Sequence, residues 1–254
     1  MRQDERIPFD SALQRARASA YEPGEFVGQE SFMGAGEIRT LAARAGIGPG
    51  TTVLDLCCGV AGPGRLITAE LGCTYLGIDA SASALHLARE RAAGLSCRFE
   101  AARLPPVPRG QFDVVLLLET MLAFPDKDAL LRGIAAALRP GGRFAFTVEE
   151  GEPLTGAERA AMPDADTVWL VPLGELEGAL ERAGFEVRWI EDWTQAHRLT
   201  ADALTAAYGA DAPAIATAVG MRAVEELVAA HRLWSSWLSA GRVRKYAVVA
   251  ERVA

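Results

Sequence analysis

Two acidic residues frame a tight loop in this chain. Asp55 lies in the apolar run Val53-Leu54-Asp55-Leu56, which leads into Cys57-Cys58-Gly59-Val60-Ala61-Gly62-Pro63-Gly64. Asp79 closes a second run, Thr74-Tyr75-Leu76-Gly77-Ile78-Asp79, twenty residues beyond Gly59. A loop built from Gly, Ala and Cys lets the backbone come close to a ligand. A helix starting at its end directs its positive N-terminus at a carboxylate or phosphate. An acid at the end of the following strand can accept hydrogen bonds from both hydroxyls of a ribose. The pattern points to a nucleoside-bearing ligand. The dinucleotide fingerprint G-x-G-x-x-G is missing, since the loop glycines fall at 59, 62 and 64, and this weakens a nicotinamide-dependent dehydrogenase.

Cysteines inside such a loop have two readings. A catalytic thiol needs an activating base or cation, and none stands nearby in sequence. A free Cys otherwise behaves as a small hydrophobe, so Cys57 and Cys58 read as small apolar walls of the pocket. A cysteine at position 57 is expected to hold φ below zero, in a loop less strained than one with glycine. Cys73 and Cys97 complete the set of four, with no CxxC pair at zinc spacing, so no metal site is expected and the thiols read as free.

The elements that position these residues alternate in type. Strand-like runs at 52–56, 74–79, 97–101, 112–118, 143–148, 185–190 and 245–251 are separated by helical patterns at 63–71, 81–93, 128–138 and 174–183. Ser81 suits a helix cap. Arg139-Pro140-Gly141-Gly142 reads as a turn into the fifth strand. The wholly apolar run at 112–118 suggests a sheet covered on both faces. The order predicts an α/β fold with a doubly wound, mostly parallel seven-stranded sheet. Residues 1–50 read as a helical cap of one or two helices over the sheet edge, 51–194 as the core, 195–240 as a helical insertion and 241–254 as the last core strand. Trp234 and Trp237 in the insertion share one helix face and read as lid packing.

On these residues the chain resembles a class I S-adenosylmethionine-dependent methyltransferase of the small-molecule type, over roughly residues 52–148. The family's first motif is an acid, a spacer and Gly-x-Gly-x-Gly. Here Asp55 supplies the acid, Gly59 keeps its glycine, and Cys57 and Ala61 replace the others. The resemblance implies a Rossmann-like fold with S-adenosyl-L-methionine as cofactor. It places Asp79 at the ribose, Ala80 beside the adenine, Glu100 on the adenine amino group and the Ala101 N–H at a ring nitrogen. It places Leu118, with Glu119, at the methionine end, and gives the segment 21–33 a lid role in which Tyr21, Gln29 and Ser31 reach the methionine end or the acceptor.

The acceptor is less legible. Glu149 and Glu150 directly follow the expected fifth strand, where a carboxylate pair can hold a cation or, if desolvated, act as a base. His197 joins them as a candidate catalytic group, and Glu119, Tyr208 and His231 are further candidates. His86, on a helix, reads as structural. The stretch after the fourth strand, Glu119-Thr120-Met121-Leu122-Ala123-Phe124-Pro125, lacks the Asn/Asp-Pro-Pro-aromatic motif of amino-methylating enzymes that act on nucleic acid. A net charge of −7 over 254 residues also argues against nucleic acid and anionic membranes. No apolar run approaches the roughly 20 residues that span a bilayer, and the N-terminal stretch MRQDERIPFD has charges where a signal peptide needs an apolar core. The expectation is a cytoplasmic bacterial enzyme of secondary or cofactor metabolism that methylates a small molecule. The alternative is a protein of this fold that keeps the cofactor while catalysing another reaction, such as a cyclisation.

Overall fold

The structure, a computed structural model, describes residues 11–163 and 165–253. The charged stretch 1–10 lies outside them. Seven strands form one sheet: β1 Thr52–Leu56, β2 Thr74–Asp79, β3 Cys97–Ala101, β4 Phe112–Leu117, β5 Leu138–Glu150, β6 Phe185–Asp192 and β7 Arg244–Arg252. Their spatial order is β3-β2-β1-β4-β5-β7-β6. β7 runs antiparallel to both of its neighbours, and the remaining pairs are parallel. This is the doubly wound, mostly parallel seven-stranded sheet predicted from the alternation of patterns.

Strand periodicity divides the core into two layers. Val53, Tyr75, Val114, Leu116, Ala145 and Val249 meet Ile38 and Leu41 of α2 (Ala35–Ala45), Ile67 of α3 (Gly62–Leu71) and Leu85 of α4 (Ala82–Arg91). On the other face Leu54, Leu56, Val115, Leu117, Phe144 and Phe146 meet Leu131 and Ile134 of α5 (Lys127–Ala137) and Leu176 and Leu180 of α7 (Leu173–Arg182). Helix starts follow local chemistry. Ser81 Oγ accepts from the Ala84 N–H at 3.2 Å, and Asp126 Oδ1 accepts from the Ala129 N–H at 2.8 Å, so each cap satisfies a backbone donor that has no partner in its own helix.

Three local expectations differ from the structure. The turn expected at 139–142 lies inside β5, as an irregularity between the pairs Phe112–Leu138 and Val114–Arg143, with Gly141 at φ 73°. β5 also continues through Glu149 and Glu150, because both pair with β7. Between residues 151 and 172, where no element was expected, a capping box of Thr155 and Glu158 starts the short helix α6 (Gly156–Ala161).

The N-terminal helices do not cover the sheet edge. α2 lies on a sheet face. α1 (Ala12–Ser19) packs through Leu13 and Ala16 on Leu204 and Tyr208 of α8 (Thr194–Ala210), Ile215 of α9 (Ala212–Val219) and Val224 of α10 (Met221–Ser239). The first helix and the insertion therefore share one apolar cluster above the carboxyl ends of the strands. Trp234 and Trp237 stand edge to face at 5.4 Å and pack with Leu154, Val168 and Leu170. Among the described residues no helix is long and apolar enough to cross a membrane.

Candidate active site

The loop after β1 is pinned from both sides. The Cys58 N–H donates to the Ile78 carbonyl at 3.0 Å, and the Ala61 N–H to the Cys58 carbonyl at 2.8 Å. Asp79 carries the main fastening: Oδ2 accepts from the Gly59 N–H at 2.9 Å and Oδ1 from the Ser81 N–H at 2.8 Å. These bonds force left-handed backbone at Cys57 (φ 60°), Gly59 (φ 52°) and Ala61 (φ 56°). The expectation of negative φ at Cys57 is thus corrected. For a residue with a Cβ this conformation costs about 1–2 kcal/mol, and the surrounding bonds over-determine the loop enough to hold it there.

Around this loop is a cavity of about 270 Å³, lined by Gln29, Ser31, Asp55, Cys57, Cys58, Gly59, Asp79, Leu118, Glu119 and neighbouring loop residues. A Cβ built on Gly59 would meet nothing within 4 Å, whereas one on Gly62 would strike the backbone of residues 27–29, and one on Gly77 the Cys58 sulfur. The loop thus has open space at Gly59 and none where the lid and β2 press on it. Asp55, 3% exposed, accepts from the Tyr75 hydroxyl at 2.6 Å. Burial pushes its carboxyl up to about 7; the Tyr75 bond opposes that rise and the Asp79 charge adds to it. Burial first, and then the Asp79 and Asp55 charges, raise the Cys57 thiol to about 12, and burial likewise raises Cys58. Both thiols stay protonated at neutral pH, which leaves them apolar walls rather than nucleophiles. Among the described residues no group of His, Cys, Asp or Glu is arranged to hold a metal.

The other residues singled out from the sequence separate by position. Leu118 and Gln29 line the cavity. The Gln29 side chain is, however, spent on the lid loop: Oε1 accepts from the Val27 N–H at 2.6 Å, and Nε2 donates to the Glu25 and Met33 carbonyls at 3.1 and 2.8 Å. Tyr21 donates to the Ser31 carbonyl and stands with its ring 5.6 Å from Phe26, which also closes the lid loop on itself. It lines a different, larger recess of about 970 Å³ together with Glu37 and Trp193. Ala80, Glu100 and Ala101 are exposed beyond the cavity wall, and register places Ala101 opposite Asp79. They extend the strip of carboxyl-terminal strand ends from β2 to β3. Neither this recess nor another of about 880 Å³ beside Lys127 and Arg182 touches the loop.

The candidate catalytic acids are engaged in a buried ionic cluster. Lys245, 1% exposed, bonds Glu119 Oε1 at 2.6 Å and Glu149 Oε1. Thr147 Oγ1 donates to Glu119 at 2.9 Å, and the Phe32 N–H reaches Glu119 Oε2 at 3.3 Å. Burial alone would raise Glu119, but Lys245, His197 and the Lys245 and Thr147 bonds overcome it and hold the carboxyl at about 2. Glu149 shares only Lys245, and its Oε2 has no hydrogen-bond partner, so burial wins and pushes its carboxyl up. Glu150 pairs along the strand with Arg244 and bridges Val171, at the edge of the cluster. His197 is fully buried beside Glu119 and Glu37, off the cavity wall. His231 has Nδ1 against the Leu227 carbonyl at 2.7 Å, and burial pushes its imidazole below the ordinary value, with the Leu227 bond opposing the fall. His86 forms an exposed i, i+4 pair with Glu90.

Sequence reasoning missed Lys245, Thr147, Tyr75 and Glu37. The signal for Lys245 was a lone cation opening the apolar run Lys245-Tyr246-Ala247-Val248-Val249-Ala250. Glu37 stands three residues beyond Gly34, the N3 place of a capping box, and accepts the Gly34 N–H at 2.9 Å.

Comparison with known proteins bears on the whole arrangement. A family model described as a methyltransferase domain matches residues 53–142. Methyltransferase GfsG of Streptomyces halstedii is 37% identical over 120 residues, covering 44% of this chain and 43% of GfsG. The chain thus spans less than half the length of that curated relative. The uncharacterized methyltransferase sll0829 of Synechocystis sp. is 31% identical over 152 residues, covering 56% of this chain and 69% of that protein. Among solved structures, the [4+2]-cyclase SpnF superposes with a TM-score of 0.75 at 21% identity, covering 96% of this chain and 92% of that one, a likeness of fold. With the acid–loop–acid unit at the ends of β1 and β2 and these matches, the chain belongs to the class I S-adenosylmethionine-dependent methyltransferase family.

Proposed function

We propose that the chain binds S-adenosyl-L-methionine across the ends of β2, β1 and β4 and transfers its methyl group to a small-molecule acceptor. The observation that carries this reading is the Asp79 carboxylate, fastened by two backbone N–H groups yet still lining the cavity. Each carboxylate oxygen accepts more than one hydrogen bond, so both remain able to take a ribose hydroxyl. The small walls Cys57, Cys58 and Gly59 admit the nucleoside, and Ala80, Glu100 and Ala101 extend toward the adenine. Two strand spacings, about 10 Å, separate Asp79 on β2 from Glu119 after β4, which puts the methionine end near Leu118 and Glu119. When bound, the cofactor supplies an electrophilic methyl group on a sulfonium.

The chain's own residues then position and exclude water. Asp79 holds the ribose, the loop fixes the depth of insertion, and the lid loop covers the opening with Gln29, Glu30 and Ser31. Beyond Glu119 the acceptor lies under Phe32, whose ring meets His231 at 5.6 Å, and under the insertion. A carboxylate held at about 2 is a weak base, so Glu119 favours a cationic or neutral acceptor by its charge rather than by taking a proton. Rate enhancement comes from in-line positioning in a dry site. The lid and insertion form the cap unit, with the core at 51–194 and the last strand beneath. We assign the enzyme to bacterial secondary or cofactor metabolism in the cytoplasm, without nucleic acid or membrane partners.

Incubation with labelled cofactor and candidate acceptors tests the reading. A product heavier by one methylene unit, with S-adenosylhomocysteine formed in equal amount, supports it. Turnover to a product of unchanged mass with the cofactor intact would replace it by the cyclisation reading.

A further inference from the structure

Glu119 leaves β4 in a conformation that a residue with a Cβ rarely adopts, with φ at 60°. The register of β4 with β5 ends at the pair Leu117–Phe146, and the next residue of β5 is Thr147, which is fully buried. Its hydroxyl takes over where the ladder stops. Oγ1 accepts from the Glu119 N–H at 2.7 Å and donates to Glu119 Oε1 at 2.9 Å. A hydroxyl has one donor and two acceptor sites, so both bonds form at once. One side chain thus holds the main chain and the carboxylate of the same residue, and the left-handed turn between them is over-determined.

The other carboxylate oxygen serves the lid. Oε1 is shared by Thr147 and by Lys245, the latter at 2.6 Å. Oε2 accepts from the Phe32 N–H at 3.3 Å. Phe32 is a junction: its ring packs in the apolar cluster that α1 shares with the insertion and meets His197 and His231 edge-on. The bonds of Gln29 and Tyr21 close the lid loop on itself, whereas the Glu119–Phe32 bond ties it to the core. The lid loop in turn supplies Gln29, Glu30 and Ser31 to the cofactor cavity, which Glu119 also lines. Lys245 supplies charge to Glu119 but touches only its carboxylate; Thr147 also holds its backbone.

We propose that Thr147 is a positioning residue for lid closure: by holding Glu119 in its left-handed turn it keeps Oε2 on the Phe32 N–H and so fixes the lid loop over the bound cofactor. The inference rests on the reading that this cavity takes S-adenosylmethionine. The hydroxyl carries the effect and the γ-methyl does not. A valine fills nearly the same space but leaves the Glu119 N–H without its acceptor, and an unsatisfied donor favours another backbone conformation. In that conformation the carboxylate keeps Lys245 and loses Phe32. A serine retains both bonds.

Thr147→Val and Thr147→Ser test this, by calorimetry with S-adenosylhomocysteine and by amide hydrogen exchange of the saturated complex. Thr147→Val should weaken binding about fivefold, roughly what one hydrogen bond is worth. It should also speed exchange across residues 21–33 while β1 and β2 exchange as in wild type. Thr147→Ser should restore both affinity and lid protection. Wild-type affinity or wild-type lid exchange in the valine variant overturns the proposal, and so does a serine variant that behaves like the valine one. Exchange that speeds through the sheet as much as in the lid also overturns it, because that marks a purely structural role. If Thr147→Val does not melt cooperatively, Thr147→Ala, which also removes the hydroxyl, is read in the same way. Failure of both to fold overturns the proposal, since the hydroxyl then serves the core and not the lid. Binding of neither S-adenosylhomocysteine nor sinefungin by the wild type would overturn the cofactor reading and this proposal with it, whereas wild-type binding that all variants share removes this proposal alone.

Discussion

Asp79→Ala tests the central assignment most directly. In the free protein the carboxylate receives two N–H bonds, from Gly59 at 2.9 Å and Ser81 at 2.8 Å. On the proposed reading the bound cofactor adds two ribose hydroxyls as donors. A hydrogen bond to a charged group is worth about 1.5–3 kcal/mol net. Asp79 is half-buried, so water recovers part of each, and about 2–4 kcal/mol of cofactor binding should be lost, roughly a 30- to 1,000-fold rise in Kd. The same change releases the loop that holds Cys57 and Ala61 at positive φ. Relief of that strain, about 1–2 kcal/mol per residue, offsets much of the lost anchoring, so the melting temperature should fall only slightly. Affinity and stability thus separate: calorimetry with S-adenosylhomocysteine should show a large loss in a protein that still melts cooperatively. Unchanged cofactor affinity in the folded variant would refute the ribose assignment. A loss of affinity matched by global unfolding would refute the offset between anchoring and strain.

Other outcomes follow from the same geometry. Cys57→Ser should bind cofactor and turn over nearly as wild type, while Cys57→Leu should abolish binding by filling the cavity; a serine variant that binds normally but is inactive would give the thiol a chemical role. The folded-state pKa of Asp55, about 7, exceeds its ordinary 3.8, so its contribution to stability is full below about pH 4 and is lost as pH rises to about 7. Asp55→Asn should therefore stabilise the free protein by about 2–4 kcal/mol at pH 8 and far less at pH 4, measured by denaturant melts. Lys245→Met leaves Glu119 and Glu149 as buried carboxylates without their cation and should cost about 3–5 kcal/mol, with partial recovery in the double variant carrying Glu149→Gln; equal stability of the single and double variants would count against the cluster. Hydrogen exchange should show residues 21–33 and 195–240 protected when S-adenosylhomocysteine and acceptor bind together, and protection confined to residues 52–102 would place the acceptor elsewhere.

Much of the fold was legible because its signals are local. The apolar runs at Val53–Leu56 and Val114–Leu117 and the cap at Ser81 depend on neighbours a few residues away. The parallel order then follows from the alternation of strand and helix. The pairing of Asp79 with the Gly59 loop was also accessible, since spacing along one βαβ unit nearly determines it. The start of β5 was not: the Pro-Gly-Gly stretch has turn chemistry, and only pairing with β4 and β7 draws its flanks into a strand. The left-handed backbone at Cys57 was equally hidden, because residue type argues against it and two backbone–backbone bonds together with two N–H bonds to the Asp79 carboxylate impose it. The ionic cluster was the least legible. Glu37, Glu119, Glu149, His197 and Lys245 lie on four elements and one loop spread over more than 200 positions, and no local signal says that they meet. Burial decides their chemistry, since desolvation and mutual distance determine which carboxyl is held low and which is pushed up, and burial exists only once the sheet, lid and insertion have closed on one another.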